Sequence, residues 1–139
     1  MTEPEHNPGD GRPAILIVSS DDPLVELIVA ILSPNYQLDH VSDIPEALDK
    51  LRSSQYALVL CADFRGCKRG VELFWLVRDG EAGKGCRSLP FLLVAPDPSS
   101  PLICVLPVPG VYFQYLPFSR RDLEASIEFV LRHYKISRT

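Results

Sequence analysis

Apolar residues along the chain fall into short continuous runs that alternate with stretches of helical spacing. AILIV, Ala14 to Val18, is such a run, and unbroken apolar runs suit strands covered on both faces. Pro23 then fits an opening helical turn. Leu24, Leu27, Ile28, Ile31 and Leu32 recur at helical spacing until Pro34 and Asn35 end the element. The alternation repeats, with a strand over Tyr36–Val41 and a helix over Ile44–Leu51 that turns Ala47, Leu48 and Leu51 inward. Tyr56–Ala62 predicts a third strand and Val71–Arg78 a third helix, stopped by Gly80, Gly83 and Gly85. Pro90–Ala95 and Tyr112–Leu116 read as the last two strands. Ser119 with Asp122 three residues on is a start signal for a final helix, whose stripe is Leu123, Ile127, Val130, Leu131 and Tyr134.

Strands and helices alternating at this spacing predict an α/β domain, a parallel sheet between two helix layers with right-handed crossovers. The expected boundaries are a polar, Gly- and Pro-rich tail over 1–13, one domain over 14–135, and a short tail over 136–139. A chain of 139 residues buries enough surface for an independent core. Composition adds little, since 46% hydrophobic and 23% charged residues are ordinary for a globular protein. The net charge of −4 opposes the counterion release that drives nucleic-acid binding, so no nucleic-acid partner is expected. No apolar run approaches the roughly 20 residues that span a bilayer, and Met1–Pro13 lacks a signal-peptide pattern, so the expectation is a cytoplasmic protein without a membrane. Cys61, Cys67, Cys86 and Cys104 form no CxxC pair and have no histidine at ligand spacing, which points away from zinc and redox couples.

ILIVSSDDPLVELIVAIL resembles the first strand and helix of the receiver domains of bacterial response regulators. YQLDHVSDIPEAL resembles their second unit, YALVLCADFRGCKRGVEL their third strand and loop, LPFLLVAP their fourth strand, and GVYFQYLPF their fifth. The resemblance runs from Ala14 to about His133 and implies a flavodoxin-like, CheY-like (βα)5 three-layer sandwich with five parallel strands in the order 2-1-3-4-5. It also implies a site in which two acids hold magnesium, an aspartate accepts phosphate, and a hydroxyl and a lysine contact the phosphoryl group. Those positions fall here on Ser19 and Ser20, Ala62, Ala95 and Phe118. Magnesium wants carboxylate oxygen, and a methyl group has no nucleophilic oxygen. The expectation is therefore a pseudo-receiver with no catalytic residues, no metal and no cofactor, working as a protein-interaction module in bacterial signalling. Its partner would be a signalling regulator, a kinase or a second copy. The alternative is an atypical receiver in which Asp63 accepts phosphate while Asp21 or Asp22 holds the metal. Successive strand side chains point to opposite faces, which aims Asp63 away from the family's site.

Other features carry less. DGEAGKGCRS follows a helix and lacks P-loop spacing, so it reads as a helix-ending loop. The acids of SSDDP would repel a flavin phosphate, and His6, His40 and His133 are scattered. Arg65, Lys68 and Arg69 are placed in the loop after the third strand, where they could grip an acidic partner. In PSSPLICVLPVPGVYFQYL the prolines Pro107 and Pro109 disfavour a helix, which predicts a short or absent fourth helix. Leu102, Ile103, Val105 and Leu106, with Tyr112 and Tyr115, are then the expected interface, Tyr115 standing where receivers carry an aromatic that reports activation.

Overall fold

The computed structural model describes residues 11–62, 68–95, 110–115 and 118–138. In chain order the elements are β1 (Ala14–Val18), α1 (Asp22–Leu32), β2 (Gln37–Val41), α2 (Ile44–Ser53), β3 (Leu58–Ala62), α3 (Lys68–Arg78), a short 3-10 turn (Lys84–Cys86), β4 (Phe91–Ala95), β5 (Val111–Tyr115) and α4 (Arg120–Arg138). The five strands form one parallel sheet in the order β2-β1-β3-β4-β5, as the resemblance implies. Residues 96–109, where a short or absent helix and the side chains of Leu102, Ile103, Val105 and Leu106 are expected, lie outside the described residues. The last helix continues to Arg138, past the boundary expected at 135.

Helices α1, α2 and α4 begin where a side chain meets free N–H groups. Asp21 caps α1 by accepting from the Leu24 N–H at 3.2 Å. Asp43 caps α2 through the Glu46 N–H at 2.9 Å, while Glu46 reaches back to the Ser42 N–H. For α4 the pair is reciprocal: the Asp122 N–H donates to Ser119 Oγ and the Ser119 N–H to Asp122 Oδ2, both at 3.1 Å. The end of α3 is equally local. Gly80, at φ +96°, turns the chain so that its N–H meets the Val77 carbonyl while the Glu81 N–H meets that of Leu76, a Schellman closure.

Alternation along the buried strands divides the core in two. Leu16, Val18, Val59, Cys61, Phe91 and Leu93 face α2 and α3. Ile15, Ile17, Leu58, Leu60, Ala62, Leu92 and Val94 face α1 and α4, meeting Leu24, Ile28, Leu123 and Ile127. On the α3 side the helix begins three residues earlier than its apolar spacing suggests. Lys68 and Arg69 are therefore in its first turn, a correction to their placement in a loop, and Arg65 lies outside the described residues. Gly70 makes the early start compatible with packing: a Cβ there would stand 2.8 Å from Leu93 Cδ2 and 3.0 Å from Cys61 Cβ. A helix with no side chain at that point lies directly on β3 and β4.

Candidate functional site

The carboxyl ends of β1, β3, β4 and β5 meet at one edge of the sheet, the edge where α/β folds place their ligands. Ser19 continues β1 by one residue, its N–H donating to the Val41 carbonyl at 3.0 Å. Its side chain is buried and its Oγ accepts the Asp21 N–H at 3.0 Å, which shapes the turn into α1. The Ser19 carbonyl accepts from His40 Nε2 at 2.8 Å, so that nitrogen carries the proton. Ser20 is exposed. Ser19 and Ser20 are thus a hydroxyl committed to a turn and a hydroxyl in solvent.

Ala62 ends β3 fully buried among the side chains that face α1 and α4. Its Cα pairs with Val94, and Ala95 pairs with Tyr115 one residue further on. Phe118 is half-buried against the same layer as Ala62, filling space with a ring that neither chelates a cation nor binds an anion. Ser19, Ala62, Ala95 and Phe118 are brought to this edge together. The side chains of Ser19, Ala62 and Phe118 do not supply the carboxylate oxygen that a magnesium cage needs.

One acidic feature does stand here. Asp21 Oδ1 is used in the cap, but Oδ2 is buried with no hydrogen-bond partner among the described residues. Asp22 is exposed in the first turn of α1, and Asp63 lies outside the described residues. Among the described residues no group of three or more His, Cys, Asp or Glu side chains is placed to hold a metal.

Of the expected interface, Tyr112 and Tyr115 are described, and they part company. Tyr115 stacks on Phe113, ring centroids 6.3 Å apart, over the α2 and α3 layer. Tyr112 is on the other face and meets Phe129 of α4 edge-on at 6.1 Å. Between β5 and α4 runs a groove of about 350 Å³ lined by Tyr112, Phe113, Ser126, Phe129 and Val130. Phe129 is 51% exposed. It lies outside the stripe of α4, so helical spacing gives no reason to single it out; only its proximity to β5 does. The Ser126 hydroxyl donates to Gln114 Oε1 beside it, tying α4 to the edge strand.

No protein-family model matches the chain, and no curated protein matches its sequence. Its fold is shared with solved receiver domains. The signal receiver domain of an HD-domain-containing protein from Pseudomonas fluorescens superposes with a TM-score of 0.73 at 25% identity, over 89% of this chain and 98% of that one. A CheY-like response-regulator receiver domain from Methanospirillum hungatei gives 0.72 at 21% identity, over 91% and 99%. The receiver domain of a sensor histidine kinase from Pseudomonas aeruginosa, with magnesium coordinated in its active-site cleft, gives 0.72 at 19%, over 87% and 98%. The chain has the CheY-like receiver fold, found in these signal-transduction proteins.

Proposed function

We propose that this chain is a receiver-fold interaction module whose state is not set by phosphorylation, acting through a protein partner or a second copy, in bacterial signal transduction. The observation that carries the reading is Ala62. A fully buried methyl group ends β3, where the resemblance to receivers places the phosphate-accepting carboxylate. Around it Ser19, Ser20 and Phe118 supply neither the negative charge that attracts a divalent cation nor the positive charge that stabilises a transferring phosphoryl group. The chain then acts by what it touches. The β5 and α4 edge, with Phe129 and Tyr112, supports that role, because an aromatic pair left half in water at a sheet edge gains by burial in a partner. The surplus of acids over bases favours a protein over a nucleic acid.

A second reading rests on Asp21. Its buried oxygen, without a partner among the described residues, favours an atypical receiver in which Asp63 accepts phosphate with Asp21 or Asp22 on magnesium. One experiment separates the two. The protein is incubated with acetyl phosphate and magnesium, and its intact mass is measured. The unchanged mass is expected; an added phosphoryl group that disappears in Asp63→Ala establishes the second reading.

A further inference from the structure

At the opposite end of the sheet from Ala62 a cavity of about 580 Å³ opens between the start of β1, the end of α1 and the middle of α4. Glu124, Glu128, Leu131 and Arg132 line it from α4, and Asn35 and Tyr36 from the link into β2. Tyr36 is 9% exposed, yet its hydroxyl makes no hydrogen bond among the described residues. It reaches the wall of this cavity, where Glu124 and Glu128 are the charged groups that act on it. Such a phenol is held by packing of its ring while its polar end is left for something else. The ring is buried while the hydroxyl opens on the cavity, where it can bond to whatever enters.

The charge of the wall selects what would complete it. Glu124 has one oxygen, Oε2, 3.7 Å from Arg120, which leaves the rest of its carboxylate open. Glu128 brings a second negative charge against the single guanidinium of Arg132. The Asn35 N–H bonds back to the Leu32 carbonyl, so the carboxyl terminus of α1, the negative end of its dipole, borders the same space. No basic residue stands in the last turn of α1; Arg12, from before β1, donates to the Ser33 carbonyl at 2.9 Å. Leu131 adds an apolar surface beside the acids.

We propose that this cavity binds an alkylammonium group, its N–H bonds shared by the Tyr36 hydroxyl and the Glu124 and Glu128 carboxylates and its methylene stem lying on Leu131. A compact ammonium offers three donors, and the wall supplies acceptors on Tyr36, Glu124 and Glu128, which suits it better than an anion or a neutral alcohol. The same chemistry belongs to a free amine and to the lysine side chain of a partner protein. The site stands apart from the phosphorylation question, and its failure leaves that reading untouched.

The test is NMR titration of the isotope-labelled full chain with n-butylamine and, separately, with acetyl-Ala-Lys-Ala-amide. Saturable shifts confined to Asn35, Tyr36 and the 124–132 turns of α4 are expected with at least one of them. Tighter binding of the peptide assigns the site to a partner's lysine, and tighter binding of the amine to a free ligand. Glu124→Gln and Glu128→Gln each weaken binding about tenfold, the loss of one charge-assisted hydrogen bond, with the rest of the spectrum unchanged. Arg132→Gln tightens it by removing the competing cation. Shifts that do not saturate, that persist in both glutamine variants, or that acetyl-Ala-norleucine-Ala-amide reproduces overturn the proposal.

Discussion

Single side chains decide where this molecule is tight and where it is open. Gly70 is a tight point, because a Cβ there would meet Leu93 and Cys61 where α3 lies on β3 and β4. Gly70→Ala forces Leu93 and Cys61 aside and is expected to cost about 1–3 kcal/mol, read as a lower urea midpoint with the slope retained. Asp39 of β2 illustrates a different solution. Its carboxylate is buried but accepts from the Tyr56 hydroxyl at 2.5 Å, so the charge is not left without a donor. Tyr36 has no such arrangement. Burial and then the nearby carboxylates of Glu128 and Glu124 raise its phenol above the ordinary tyrosine value of 10.0. The unfolded chain therefore loses that proton first. This tyrosine contributes its full share of stability below pH 10, and the share falls as pH rises from there through the elevated folded value. In an absorbance titration of tyrosinate, the phase that Tyr36→Phe removes should lie above the ordinary tyrosine value. If the removed phase lies at the ordinary value, neither burial nor the carboxylates act on the phenol.

At the scale of elements, most boundaries were legible because they are local. The Pro23 start of α1, the glycine stop of α3 and the Ser119 start of α4 each depend on residues within a turn of the boundary. Ser119→Ala removes one half of the reciprocal cap, and a loss of about 1 kcal/mol is expected from thermal unfolding, with Asp122→Ala adding less than its separate effect because the two hydrogen bonds share one turn. The start of α3 was misjudged for an equally physical reason. Lys68 and Arg69 carry no apolar signal, and their helical state depends on Gly70 seating the first turn against two strands distant in sequence. On β5, the side chains at 112 and 115 both read as interface residues, but an odd separation along a strand sends them to opposite layers.

For the whole molecule, the sheet order leaves β5 at one edge with α4 beside it, and there Phe129 projects half into solvent. Replacing a half-exposed ring removes little core contact. Phe129→Asp is accordingly expected to abolish self-association or partner capture, measured by sedimentation and co-purification, while the melting temperature moves by no more than a few degrees. A variant that unfolds instead places the ring in the core. Strand runs, helix faces and caps could be taken from the sequence, as could the residue types at Ser19, Ser20, Ala62, Ala95 and Phe118, where the resemblance to receivers places its site, since periodicity and side-chain chemistry are read along the chain. Only the tertiary structure decided that Tyr112 meets Phe129, that one oxygen of Asp21 has no partner among the described residues, and that Tyr36 shares a cavity with Glu124 and Glu128. Those groups are separated by many residues and come together through packing, which no local pattern encodes.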